Sequence, residues 1–241
     1  HGATIVNCSF GSTYDGEPIE DAVIEARSKG ILVIGAAGNL DRSFPPEYPA
    51  TFSQPMGVAA TDINDLKAPF SNFGAQLDLS APGHSTSSDG KVFDPAASVI
   101  STVPGGGYVI WSGTSFANAF VSGAAALVRA QHPEWPATTA TAIANENALT
   151  STAVNIDSLN PEHAGQLGAG RLDAAAATAL AGPAPRLGDL DANGVIDGDD
   201  LGQLLAQWGP CAFPGACTAD LDVDGDVDGG DLGWILAAWG R

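Results

Sequence analysis

Two kinds of residue in this chain are spaced for chemistry. The first is a set of carboxylates: Asp189-Leu-Asp-Ala-Asn-Gly-Val-Ile-Asp-Gly-Asp-Asp200 recurs 31 residues on as Asp220-Leu-Asp-Val-Asp-Gly-Asp-Val-Asp-Gly-Gly-Asp231. Each copy offers oxygen donors at loop positions 1, 3, 5, 9 and 12, a turn glycine at 6 and a backbone carbonyl at 7, the donor pattern of a calcium loop. The two ligand sets are Asp189, Asp191, Asn193, Asp197 and Asp200, then Asp220, Asp222, Asp224, Asp228 and Asp231. A merely solvated acidic run has no need of the same glycine at position 6 and an aliphatic at position 8 in both copies. The cofactor implied is calcium. The second is Ser115, in Gly113-Thr114-Ser115-Phe116-Ala117, just ahead of Ala119, Val121, Ala124, Leu127 and Val128 at helical spacing. A serine at a helix start can be a plain N-cap. It can also be a nucleophile, because the unpaired N–H groups and positive end of a helix stabilise charge developing on a carbonyl oxygen held against it.

The elements that position these groups are legible as patterns. Thr4 to Phe10 and Ile31 to Ala36 are short apolar runs bounded by glycines, and between them Glu17 to Lys29 carries Ile19, Val23 and Ala26 on one helical face. Strand, helix, strand at this spacing is a right-handed parallel unit, so the expected fold is an α/β, doubly wound parallel sheet. In such sheets functional loops gather at the carboxyl ends of strands, here Ser9-Phe10-Gly11 and Ala36-Ala37-Gly38-Asn39.

Charge divides the chain. Residues 187–241 hold 11 aspartates and one basic residue, while 1–186 hold 17 acids and 8 bases. Gly182-Pro183-Ala184-Pro185 stops an alanine-rich helix and stiffens the spacer after it. The expected organisation is a first domain over 1–181, a linker over 182–186 and a small all-α calcium-binding domain over 187–241. A net charge of -19 repels phosphate backbones and anionic membranes, which excludes nucleic acid as a partner. The apolar runs fall far short of the roughly 20 residues of a membrane span. Cys211 and Cys217, close together in a Gly/Pro loop, read as a small disulfide of a secreted, extracellular or cell-surface protein, and Cys8 as a buried thiol.

Ile5-Val-Asn-Cys-Ser-Phe-Gly11, Val33-Ile-Gly-Ala-Ala-Gly-Asn39, Tyr48-Pro-Ala50, Phe70-Ser-Asn-Phe-Gly74, Ala81-Pro-Gly83, Ser112-Gly-Thr-Ser-Phe-Ala117 and Gly168-Ala-Gly-Arg-Leu-Asp-Ala174 fall in one register. In that order the first domain resembles the subtilisin-like serine proteases (peptidase S8). The resemblance implies a serine endopeptidase acting on a protein or peptide, with Ser115 as nucleophile and Asn39 plus the Ser115 N–H as the oxyanion hole. It also implies a specificity pocket walled by Ser9, Phe10, Gly11, Ala36, Ala37 and Gly38 and closed near Glu47. A carboxylate there favours lysine or arginine before the scissile bond; the alternative is a solvated loop charge. The chain departs from the family at Ala119 and Phe120, where a proline and a histidine are usual, and by an insertion over residues 84–95.

The repeated loops, each running into a short aliphatic and tryptophan helix (Leu201 to Trp208, Leu232 to Trp239), resemble the dockerin family. That implies an attachment role and a cohesin-type partner. Positions 10 and 11 differ from cellulosomal dockerins, with Gly198-Asp199 and Gly229-Gly230 replacing a hydroxyl-bearing pair.

A nucleophilic serine needs a base and a carboxylate behind it. The family takes both from Asp-Ser/Thr-Gly and His-Gly-Thr-His motifs upstream, and neither occurs here. His1 directly precedes a strand, while His84, His132 and His163 read as solvated residues. Asp41 and Asp62 are only surface candidates for further cation sites. The expectation is the C-terminal portion of a protease domain, inactive alone, whose first residue is not the native start. The alternative is a catalytically incomplete remnant acting only as a calcium-binding attachment module.

Overall fold

The computed structural model describes residues 2–45, 47–85, 99–180, 186–191, 194–211, 217–222 and 224–240. Four strands, β1 (Ile5–Cys8), β2 (Leu32–Ala36), β3 (Met56–Thr61) and β4 (Leu79–Pro82), form one parallel sheet in the order β1-β2-β3-β4. Side chains of a strand alternate between faces, and the helices divide accordingly. Val23 and Ala26 of α1 (Glu17–Ser28) pack with Cys8 and Val33 on one face. Leu32 and Ile34, out of phase with Val33, join Met56, Val58, Ala60, Leu79 and Ala81 on the other. There they meet Ala117, Val121, Ala124, Ala125 and Val128 of α2 (Thr114–Gln131), with α3 (Thr139–Ser151) and α4 (Ala174–Ala179) behind.

The helices cover both faces of the parallel sheet, as expected of an α/β fold. Among the described residues each strand lies beside its predecessor in the sheet. The observed α2 is unbroken through Ala119 and Phe120, both exposed. A hairpin of β5 (Ile100–Val103) and β6 (Gly107–Ile110) precedes it. Most of the expected insertion, and the linker apart from Arg186, lie outside the described residues.

The C-terminal residues surround a cluster of their own: Ile196, Leu204, Ala219, Leu221, Val227 and Ile235. Ile196 and Val227 are the two position-8 aliphatics, and their burial explains why that position repeats. Helices α5 (Gly198–Ala206) and α6 (Gly229–Ala238) begin three residues before the expected leucines, within the loops themselves. The unit is not purely helical, because β7 (Gly209–Pro210) and β8 (Asp226–Val227) form a two-residue antiparallel ladder. Cys211 and Cys217 are joined in a disulfide, their Cα atoms 5.7 Å apart.

Polar groups lock the helices of the first domain. Asn118 Nδ2 donates to the Ile34 carbonyl (3.1 Å) and Asn145 Nδ2 to that of Ala125 (3.1 Å). Arg27 at the end of α1 pairs with Glu146 of α3 at 2.7 Å, the side chains 14% and 24% exposed. Truncating one partner strands the other in a partly dry site, so Arg27→Ala is expected to cost about 2 kcal/mol, read by denaturant unfolding.

Candidate active site and carboxylate loops

The carboxyl ends of β1 and β2 bring two loops against the start of α2. Ser115 lies in the first helical turn and is partly exposed. Its hydroxyl donates to the Ser9 carbonyl at 3.2 Å, and the Ser9 hydroxyl donates back to the Ser115 carbonyl at 3.0 Å. Asn39 is fixed from the neighbouring residue of the helix: its Oδ1 accepts from the Thr114 N–H (2.8 Å) and from the Thr114 hydroxyl (3.0 Å). With Oδ1 committed, what the exposed Asn39 can offer a ligand is its Nδ2 donor. Thr114 Oγ1 also accepts the Gly38 N–H at 3.1 Å, tying the β2 loop to the helix start.

Glycine is required at 38. Its φ is +101°, and a Cβ there would lie 2.4 Å from Asn72 Nδ2 and 2.6 Å from Glu47 Cδ. A Cβ on Gly11 would likewise fall 2.8 Å from Glu47 Oε2. The Glu47 carboxylate therefore lies between the two expected pocket walls, Ser9–Gly11 and Ala36–Gly38. Its side chain is 13% exposed and pairs with Arg42 at 3.3 Å, which corrects the solvated-loop alternative. Asn72 holds this assembly together: Oδ1 accepts the N–H groups of Leu40 (2.9 Å) and Arg42 (3.3 Å), and Nδ2 donates to the Ala37 carbonyl (2.8 Å). Sequence reading missed the roles of Asn72, Thr114 and Arg42; the first two stood inside quoted motifs, which was the signal available.

The other expected residues are placed as follows. His84 Nδ1 lies 3.0 Å from the Ser112 hydroxyl, and burial holds its imidazole below the usual histidine pKa while Asp62 pulls the other way. His132 stacks on Trp135 and His163 packs on Phe73, so all three are partnered rather than simply solvated. Among the described residues, no histidine bonds the Ser115 hydroxyl; His1 lies outside them. Asp62 is not a surface carboxylate: it is buried, accepting from the Asn64 and Leu66 N–H groups. Asp41 pairs with Lys67 at 2.6 Å. Cys8 is a buried thiol, its pKa pushed up by that burial.

In the repeats, single carboxylate oxygens of Asp189, Asp191 and Asp200 lie within 4.8 Å of one another, as do those of Asp220, Asp222 and Asp224. Asp200 and Asp231 anchor the loops, each accepting three backbone N–H groups. Asp197 and Asp228 N-cap α5 and α6 instead of joining those groups, and Asn193 lies outside the described residues. Desolvation first, then neighbouring aspartates, holds the Asp189 and Asp222 carboxyls above the usual range, with backbone N–H groups opposing. Asp189 Oδ1 is buried with no hydrogen-bond partner. A hard cation fits this donor set, since it would satisfy that oxygen and relieve the like-charge crowding.

The model of the Subtilase family (peptidase S8) matches residues 1–177. The chain belongs to the subtilase family. It is 38% identical over 178 residues to subtilisin BL of Lederbergia lenta, covering 74% of this chain and 57% of that protein. To the alkaline elastase YaB of Bacillus sp. (strain YaB) it is 37% identical over 178 residues, covering 74% and 41%. The structure of a protease from Pseudoalteromonas arctica superposes with a TM-score of 0.62 at 31% identity, over 73% of this chain and 51% of that one. This subtilase chain thus spans about half the length of the relatives it matches. Subtilases are serine proteases, and residues 1–177 share their α/β fold. Among the described residues, no helix is long and apolar enough to cross a membrane. Because Asn72 satisfies the Leu40 and Arg42 N–H groups together, Asn72→Ala is expected to lower stability by about 2 to 3 kcal/mol in denaturant unfolding.

Proposed function

We propose that this chain supplies the nucleophile, oxyanion hole and specificity pocket of a secreted subtilisin-type serine endopeptidase, and that residues 187–241 are a calcium-dependent, dockerin-like attachment module. The observation that carries the first part is the setting of Ser115 and Asn39. The serine stands at the positive end of α2, and Asn39 is held through Oδ1 so that only a donor is left to present.

In the reaction, Ser115 Oγ adds to the scissile carbonyl carbon of a peptide, and the carbonyl oxygen takes the negative charge between Asn39 Nδ2 and the Ser115 N–H. The Ser115 hydroxyl proton turns from the Ser9 carbonyl to a base and passes to the amine as the C–N bond breaks, and water then releases the acyl group from Ser115 with the help of the same base. Residues elsewhere in the full-length product provide that base and the carboxylate behind it. Glu47, between the pocket walls, favours lysine or arginine before the cleaved bond.

In the attachment module, Asp189, Asp191 and Asp200, then Asp220, Asp222 and Asp224, hold the ions. Bound calcium would offset the crowded negative charge of these loops, and Asp197 and Asp228 cap the helices that follow. The module's partner is a cohesin-type protein.

A fluorophosphonate probe labels only an activated serine. The full-length product is expected to be labelled and its Ser115→Ala variant unlabelled; an unlabelled native protein would leave calcium binding and attachment as the function. Asn39→Ala is expected to slow peptide turnover by roughly 100- to 1000-fold, and an unchanged rate would remove Asn39 from the oxyanion hole. Chelation is expected to melt the helices of residues 187–241 before those of the first domain, since metal supplies much of the folding free energy of so small a unit. Circular dichroism unchanged by a chelator would contradict the calcium assignment.

A further inference from the structure

The Glu47 carboxylate does not wait for substrate with both oxygens open. Its Oε1 is contacted by Arg42 Nη2 at 3.3 Å and by Asn72 Nδ2 at 3.5 Å. Its Oε2 lies beside a glycine of each wall, 2.8 and 2.7 Å from where side chains on Gly11 and Gly38 would begin. One oxygen thus faces a built-in cation and the other faces the gap between the pocket walls.

Arg42 is held where it is by the chain around it. Its N–H donates to Asn72 Oδ1 and its carbonyl accepts from the Phe73 N–H at 3.2 Å, so the side chain rises from a fixed backbone. The Arg42 side chain is 28% exposed, and its Nε is buried with no hydrogen-bond partner. The pair is a single 3.3 Å contact, where a strong Arg–carboxylate pair makes two parallel bonds near 2.8 Å. Arginine stays charged at any working pH, so the glutamate and its partner together carry no net charge.

We propose that Arg42 is a specificity-determining residue, a resident competitor for Glu47 that tempers the pocket's preference for basic side chains. This rests on the reading of Glu47 as the pocket floor. A substrate lysine or arginine entering between the walls reaches Oε2, and its gain is reduced because Oε1 already faces a cation. Arg42 and the substrate cation also repel each other across the same carboxylate. Without Arg42 the floor carries a full negative charge, and a basic side chain gains what the resident pair had taken. Electrostatic complementarity of this kind sets selectivity between substrates more than it sets overall rate.

The test uses the full-length gene product and two peptide substrates that differ only in lysine or leucine before the scissile bond. Arg42→Met, which keeps the length of the side chain, is expected to raise the lysine-to-leucine ratio of kcat/KM about tenfold, and Arg42→Gln to move it the same way. Glu47→Gln is expected to lower the ratio about tenfold, and the Arg42→Met/Glu47→Gln double variant to match Glu47→Gln alone. The Arg42→Met gain should shrink as salt is added. A ratio that falls with Glu47→Gln but stays put in both Arg42 variants would overturn the role of Arg42 and leave Glu47 in place. A ratio unmoved by every variant would remove Glu47 from the pocket floor and the Arg42 inference with it, as would a native protein with no peptidase activity. Arg42 variants that lose the native circular dichroism spectrum would make the pair a structural one and overturn the inference as well.

Discussion

The first turn of α2 touches the loop that follows β2, and the arrangement of the site depends on that contact. Thr114, fully buried, accepts the Gly38 N–H and donates to Asn39 through one hydroxyl. The approach is close because small residues line it. The Gly113 N–H donates to the Gly83 carbonyl at 2.8 Å, and a Cβ on Gly83 would fall 2.8 Å from the Gly113 carbonyl oxygen. Ala117, Ala124 and Ala125 then let α2 lie directly on the sheet. A bulkier helix face would lift Ser115 away from Ser9 and Asn39, and positioning errors of about 1 Å are enough to cost on the order of 100-fold in rate.

Much of this was readable from sequence, for physical reasons that differ by residue. The strand and helix of the first crossover announce themselves by period, and Ser115 by its place before an apolar helical face. Asn39 and Glu47 could be given roles only through their register in a family pattern. What stayed hidden were contacts between distant positions. Asn72 reaches back 30 residues or more to Leu40 and Arg42, and Thr114 reaches 75 residues to Asn39. Local pattern carries no trace of such pairs. Asp62 was misplaced because an aspartate in a polar stretch looks solvated, whereas here it turns inward to close its own loop.

The repeats show the same limit in another form. Composition and spacing marked ten oxygen donors alike, and the fold divides them by task. Asp200 and Asp231 accept backbone N–H groups, Asp197 and Asp228 cap helices, and the carboxylates of Asp189 and Asp191 converge with Asp200 while those of Asp220, Asp222 and Asp224 converge with one another. One aspartate can cap a helix and still stand beside a cation, but sequence spacing cannot say which oxygens remain. The position-8 aliphatics had the plainer duty of reaching a core that two short helices share.

The central claim is that Ser115 belongs to a catalytic constellation whose base and carboxylate come from elsewhere in the gene product. The intact mass and N-terminal sequence of the native polypeptide test it most directly. The expected result is a chain extended ahead of His1 by residues that include an Asp-Ser/Thr-Gly and a His-Gly-Thr-His motif. A native polypeptide that begins at His1 would leave the serine without its base and contradict the claim.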